Sequence, residues 1–177
     1  LRRWHILDWY FSGILNDIFT NNTIDLLTTG NFNFYLPGMA NISYKNTDAI
    51  GAIDFIGLNY YSRWHVKGHF NATNPFTFET RLEDIQTDMP YSIYPEGFYR
   101  AIQTISILNK PIIITENGIA DDKDDRRKLF IERYLYSLFK ATMDGYDIRG
   151  YFYWTLMDNF EWAEGYKMKF GLYEVDF

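Results

Sequence analysis

The 177-residue chain has no cysteine, which excludes disulfide frameworks, thiolate metal sites and thiol catalysis together. Its apolar runs are only a handful of residues long, as in Pro111 to Ile114. A membrane helix needs roughly 18 to 20 such residues, so no membrane partner is expected. Basic residues are outnumbered, 17 against 23 acidic, and form no long stripe, so the electrostatic footprint of a nucleic-acid binder is missing. Around Glu116 there is no histidine or acid cluster with metal-ligand spacing. No GxSxG elbow and no phosphate-cradling glycine loop occur either. The expectation is a protein with no metal and no cofactor, acting on a small molecule of little charge.

What is present is globular composition, 47% hydrophobic, 23% charged and 20% aromatic. Phe11, Ile14, Leu15, Ile18 and Phe19 keep helical spacing over Trp9 to Phe19. Thr20 to Asn46, rich in Asn, Thr and aromatics, reads as a long loop with Gly30 and Pro37-Gly38 as turn signals. Three compact apolar runs, Ile53 to Tyr61, Pro111 to Glu116 and Gly150 to Leu156, are apolar on both parities, as expected of parallel strands covered on both faces. Between the first two, Pro95 opens a helix with Phe98, Ile102, Ile105 and Leu108 on one face, ending near Asn109. Between the last two, Asp122 to Asp144 carries Leu129, Phe130, Tyr134, Leu135, Leu138 and Phe139 at helical spacing, with acids crowding the first turn and Gly145 at the stop. The order β-α-β-α-β implies a parallel sheet with right-handed crossovers. No linker or repeat is found, so residues 1–177 read as one unit.

In such sheets functional groups gather at the C-terminal strand ends. Here those ends carry Asn59 and Tyr61, then Glu116-Asn117-Gly118, then Trp154 leading into Asp158-Asn159-Phe160-Glu161-Trp162. Alternation puts Asn59 and Tyr61 on one face, and Glu116 on the face of Ile112 and Ile114. A carboxylate beside a phenol and exposed indoles is equipment for sugar chemistry: the carboxylate can attack an oxocarbenium-like centre, and the indoles can stack on a pyranose. Taken alone, Glu116 more often belongs to a solvated loop or a helix cap, since Asn117-Gly118 is also an ordinary turn signal, and Asp158 and Asn159 are as readily loop braces as ligand contacts.

These segments resemble family 1 glycoside hydrolases, the retaining β-glucosidase and β-galactosidase family. Ile113-Ile114-Thr115-Glu116-Asn117-Gly118 is similar to its I-T-E-N-G motif, and Asp54 to Ser62 to its D-F-I-G-x-N-Y-Y segment. Tyr94-Pro95-Glu96-Gly97 resembles its Y-P-E-G turn, Trp154 to Trp162 its W-S-L-x-D-N-F-E-W segment, and Phe170-Gly171-Leu172 and Val175-Asp176-Phe177 its closing motifs. The resemblance implies the α/β fold of a (β/α)8 TIM barrel, of which this chain is the C-terminal part, about three β/α units, well short of the roughly 250 residues of a full barrel. It implies Glu116 as catalytic nucleophile, Tyr61 orienting it, and Asn59 alongside. Glu161 would accept bonds from sugar hydroxyls, Trp162 would donate its indole N–H, Trp154 would stack and Phe170 would wall the glycone pocket. Asp124 and Arg127 would be structural.

The family's acid/base glutamate lies in an Asn-Glu-Pro motif that this chain lacks. The Gln, His and Trp that clamp the sugar from the N-terminal half are also missing, so the isolated chain is expected to be catalytically silent. It is expected to associate through exposed barrel edges or with an N-terminal half. The substrate implied is a β-glycoside or oligosaccharide; Glu161 stands where phospho-glycosidases place Ser, favouring an unphosphorylated glycone. The other readings are an inactive carbohydrate-binding remnant and a truncated product. Tyr134 replaces the family's frequent His and reads as packing, as do His5, His65 and His69. Sequons at Asn21, Asn41 and Asn71 and the absence of a signal-peptide pattern in the first residues leave the compartment open, with the cytoplasm favoured over secretion.

Overall fold

The computed structural model describes residues 6–36, 40–81 and 83–177. In chain order the elements are α1 (Ile6–Asn16), α2 (Asn22–Thr29), β1 (Asn31–Leu36), β2 (Ala40–Lys45), β3 (Ile56–Asn59), β4 (His65–Gly68), β5 (Phe76–Glu79), α3 (Pro95–Ile105), β6 (Ile112–Asn117), α4 (Arg127–Met143) and β7 (Ile148–Tyr153). They fall into two compact units, Leu1–Asp54 with Trp64–Glu79, and Phe55–Arg63 with Thr80–Phe177.

In the first unit the segment expected to be a long loop is ordered secondary structure. One π-helical turn, Asp17–Asn21, carries α1 into α2, which stops where Gly30 turns left-handed (φ 75°) and donates its N–H to the Leu26 carbonyl. β1 and β2 then pair antiparallel, with Phe32 opposite Tyr44, Phe34 opposite Ile42 and Leu36 opposite Ala40 on one face. Asn33 opposite Ser43, joined by a 2.8 Å hydrogen bond, lies on the other face. Apolar and polar residues alternate with period two, which was the strand signal hidden in the polar composition. The Pro37-Gly38 turn signal falls outside the described residues. β4 and β5 form a second antiparallel pair, and Asp8 accepts the Gly68 N–H at 2.7 Å.

The second unit is a parallel sheet in the order β3-β6-β7. Ile112 and Ile114 pack with Phe98 and Ile102 of α3 and with Phe130, Tyr134 and Ala141 of α4 in one core. The expectation of cover on both faces does not hold among the described residues. Gly57 lies under Thr115, Gly150 under Ile113, and Phe152 is 62% exposed.

Helix α4 starts later than expected and has no acid in its first turn. The preceding acids serve it from outside: the buried Asp121 carboxylate accepts the backbone N–H groups of Arg126 (2.8 Å) and Arg127 (2.9 Å), which satisfies donors a helix start leaves free. Burial alone would raise the Asp121 carboxyl, but these bonds and the Arg126 guanidinium hold it below the ordinary value. Leu135 and Phe139, expected in the apolar stripe, are exposed, because Phe130, Tyr134, Leu138 and Ala141 already cover the sheet.

Candidate active site

The described site lies entirely within the second unit, at the C-terminal ends of β3, β6 and β7. Its geometry begins with an irregularity. Leu58 pairs with Ile114 and Asn59 pairs with Glu116, so Thr115 is an extra residue on β6. Such a bulge resets the alternation of side chains. The expectation that Glu116 shares a face with the core residues Ile112 and Ile114 is therefore corrected: Ile114 is fully buried, whereas Glu116 is half-buried and accepts a 2.7 Å hydrogen bond from the Tyr61 hydroxyl. Thr115 donates its hydroxyl to the Asn59 side-chain oxygen Oδ1 at 2.6 Å, so the Asn59 side chain is tied to Glu116's neighbour.

Tyr61 is half-buried and flanked by two aromatic rings. Its ring meets Phe170 edge-on at 6.1 Å and Tyr91 at 6.3 Å. Burial first, then the bond to Glu116 and that residue's charge, push its phenol far above the ordinary tyrosine range. It therefore remains a protonated donor. Tyr60 turns the other way, into the core, and donates to the Tyr94 carbonyl at 3.1 Å.

Asn117, read from sequence as part of a turn, is fully buried. Its amide donates to the Tyr60 carbonyl at 2.6 Å, its side-chain oxygen accepts from Tyr151 at 2.9 Å, and its own carbonyl accepts the Trp154 N–H at 3.0 Å. It locks all three strand ends to one another. Trp154 is half-buried, and Phe170 is 4% exposed behind Tyr61. Asp158 resolves as a brace: its carboxylate accepts the Gly171 N–H at 2.8 Å and pairs with Lys169 at 3.3 Å.

The loop beyond Asp158 carries Glu161 and Trp162. Glu161 donates its N–H to the Gly165 carbonyl at 2.7 Å across a single 3-10 turn, while Tyr166 meets Phe160 edge-on at 5.3 Å and Phe177 at a tilt at 4.3 Å. Trp162 is 83% exposed and takes a left-handed backbone (φ 38°), a conformation that costs a non-glycine residue on the order of 1 kcal/mol. Burial, then the charge of Glu116, then that of Glu164, raise the Glu161 carboxyl. The two carboxylates are thus electrostatic neighbours.

That shift sets a pH dependence. A carboxyl raised by folding favours the native state below the ordinary glutamate value of 4.5 and loses that advantage as pH rises through the raised value. Glu161→Gln is expected to stabilise the protein near pH 7, on the order of 0.5 kcal/mol for a part-exposed charge, with the gain vanishing at pH 4. Thermal melts of the two proteins across that range check it.

Sequence reasoning missed Tyr91, which lacks any motif, and the roles of Thr115 and Asn117 beyond the motif itself. Among the described residues no group of three or more His, Asp or Glu side chains could hold a metal ion.

The family model of glycosyl hydrolase family 1 matches residues 4–177. A β-galactosidase from Pyrococcus woesei is 35% identical, over 88% of this chain and 37% of its own length. A β-glycosidase from Pyrococcus horikoshii superposes with a TM-score of 0.82 at 35% identity, covering 98% of this chain and 40% of that one. A β-glucosidase from Thermotoga maritima, solved in complex with castanospermine, gives 0.78 at 32% identity, covering 96% and 42%. The chain thus spans about a third of the curated relative and about two fifths of each solved structure.

Proposed function

Because the chain belongs to glycosyl hydrolase family 1, whose β-glycosidases are (β/α)8 barrels, we propose that it forms the C-terminal part of one such barrel domain and supplies the nucleophile side of a retaining β-glycosidase. Glu116 attacks the anomeric carbon of a terminal β-linked sugar through a carboxylate oxygen. The glycosidic C–O bond breaks, and the leaving oxygen takes a proton from an acid outside this chain. Water, giving a proton back to that same external group, then attacks the anomeric carbon, breaks its bond to the Glu116 oxygen and regenerates the carboxylate. Tyr61 orients the attacking oxygen, with Asn59 alongside. Glu161, Trp162 and Trp154 receive an unphosphorylated glycone, and Phe170 helps wall the pocket from behind Tyr61.

The observation that carries this reading is the 2.7 Å Tyr61–Glu116 bond at the mouth of a parallel sheet, where a phenol aims the carboxylate and leaves its other oxygen for substrate. The open sheet face, with Phe152 exposed, is the face that barrel closure would cover. General acid assistance is worth about 10²- to 10⁴-fold, so the isolated 177 residues are expected to give no measurable turnover of an aryl β-glucoside.

The test uses the full natural protein and an activated 2-deoxy-2-fluoro-β-glucoside. A covalent adduct on the Glu116 peptide, absent in Glu116→Gln, is the expected result in mass spectrometry. Undiminished turnover by Glu116→Gln would overturn the assignment. The exposed Trp162 beside Glu161 favours a second reading, an inactive sugar-holding remnant. Under that reading glucose binding survives Glu116→Gln and no adduct forms.

A further inference from the structure

Tyr134 sits on α4, fully buried, 73 residues from Tyr61 in sequence. Its ring stacks on Phe130 at 4.0 Å and packs against Phe98 and Tyr60, contacts that a phenylalanine would make equally well. The hydroxyl is what distinguishes it. It accepts the Tyr94 N–H at 2.9 Å and donates to the Tyr61 carbonyl at 2.9 Å.

We infer that Tyr134 is a positioning residue for the Tyr61–Glu116 pair, acting through the backbone of Tyr61. This rests on the reading of Glu116 as nucleophile. β3 ends at Asn59, so Tyr61 lies beyond its regular pairing with β6. The neighbouring backbone is held by Tyr60 N–H to the Glu116 carbonyl (3.0 Å), by Asn117 to the Tyr60 carbonyl and by Ser62 Oγ to the Ser92 carbonyl. At Tyr61 itself the carbonyl accepts from Tyr134 alone among the described hydrogen bonds. The same hydroxyl fixes the start of α3 through Tyr94, so one buried oxygen joins α4, the N-terminus of α3 and the residue that aims the carboxylate. Burial pushes the phenol well above the ordinary range, so the bridge keeps its proton at neutral pH.

Without the hydroxyl, two part-buried backbone groups lose their partner, and the Tyr61 peptide loses the one bond described at its own carbonyl. A shift of about 1 Å in the groups at a reacting centre can cost about 10²-fold in rate.

The test is Tyr134→Phe in the full natural protein, with Ile102→Val, a core change on α3, as the control for thermal destabilisation. The expected result is a tenfold or greater fall in kcat and in the rate of fluoro-sugar trapping, KM within twofold, and no such fall in Ile102→Val. Unchanged kcat in Tyr134→Phe, or an equal fall in the control, would overturn the inference. Tyr134→His keeps one donor and one acceptor and serves if the phenylalanine variant does not fold. A trapping rate within threefold of the parent, with both bonds kept through the imidazole in the crystal structure, supports the bridge; a collapsed rate with both bonds kept overturns it. If the parent itself neither turns over nor traps, the functional reading fails, and a crystal structure of Tyr134→Phe still decides the positioning. A Tyr61–Glu116 separation beyond 3.5 Å supports it, and an unchanged bond overturns it.

Discussion

Arg127→Met is expected to cost the second unit about 3 to 5 kcal/mol, read as a lowered midpoint in urea unfolding. The guanidinium is buried and uses its whole fork. It donates to the carbonyls of Ile119 (3.0 Å), Asp121 (2.9 Å), Lys169 (3.0 Å) and Phe170 (3.2 Å), to Tyr153 (3.0 Å) and to the Asp124 carboxylate (2.6 Å). Methionine keeps an unbranched apolar stem but ends before the guanidinium and removes every donor, leaving several buried acceptors, each worth about 1 to 3 kcal/mol when unpaired. Arg127→Lys is expected to recover less than half, because a point ammonium with three donors cannot span carbonyls on two separate segments. Those segments are the loop after β6 and the stretch bearing Phe170, which backs Tyr61. Loss of the arginine should therefore loosen the candidate site before the sheet unfolds, seen as faster amide exchange around 169–171 than in β6. Equal stability of Arg127→Met and the parent would refute this account.

Arg127 also marks what a sequence conceals. The three parallel strands, the two helices between them and their stops at Asn109 and Gly145 were legible, because apolar runs, Pro at a helix start and left-handed stops are local signals. Tyr61 and Glu116 were legible as neighbours because strand ends converge in a parallel sheet. The bulge at Thr115 was not, since one extra residue leaves no mark on composition, yet it decides which way Glu116 points. The β1–β2 hairpin was overlooked because its Asn-rich face masked the alternation of Phe32, Phe34 and Leu36. In sequence Tyr134 reads as packing, and its ring does pack. Only its hydroxyl, paired across 73 residues, carries the further information. Long-range polar pairing of this kind has no periodicity to read.

Gly118→Ala is the substitution expected to damage stability and chemistry together. Asn117-Gly118 reads in the sequence as an ordinary turn pair, but no positive φ is recorded at Gly118, so conformational freedom is not what the position requires. What it requires is space. A Cβ at 118 would overlap the Trp154 carbonyl oxygen and press on the carbon behind it at 2.8 Å, both backbone atoms that no rotamer change can move. The two segments are pinned at that distance by the Trp154 N–H bond to Asn117, and the Trp154 stretch is pinned on its far side by Thr155 N–H to Phe170. Alanine must therefore push β6 and the Trp154 segment apart. Overpacking of a close-packed site costs about 1 to 3 kcal/mol, and with rigid neighbours the upper end is expected. The displacement falls between Glu116, two residues back, and Trp154, so in the full natural protein fluoro-sugar trapping should fall by about 10²-fold even at temperatures where Gly118→Ala is fully folded. A folded Gly118→Ala that traps at the parental rate would mean that the Trp154 segment is held by something other than its approach to β6.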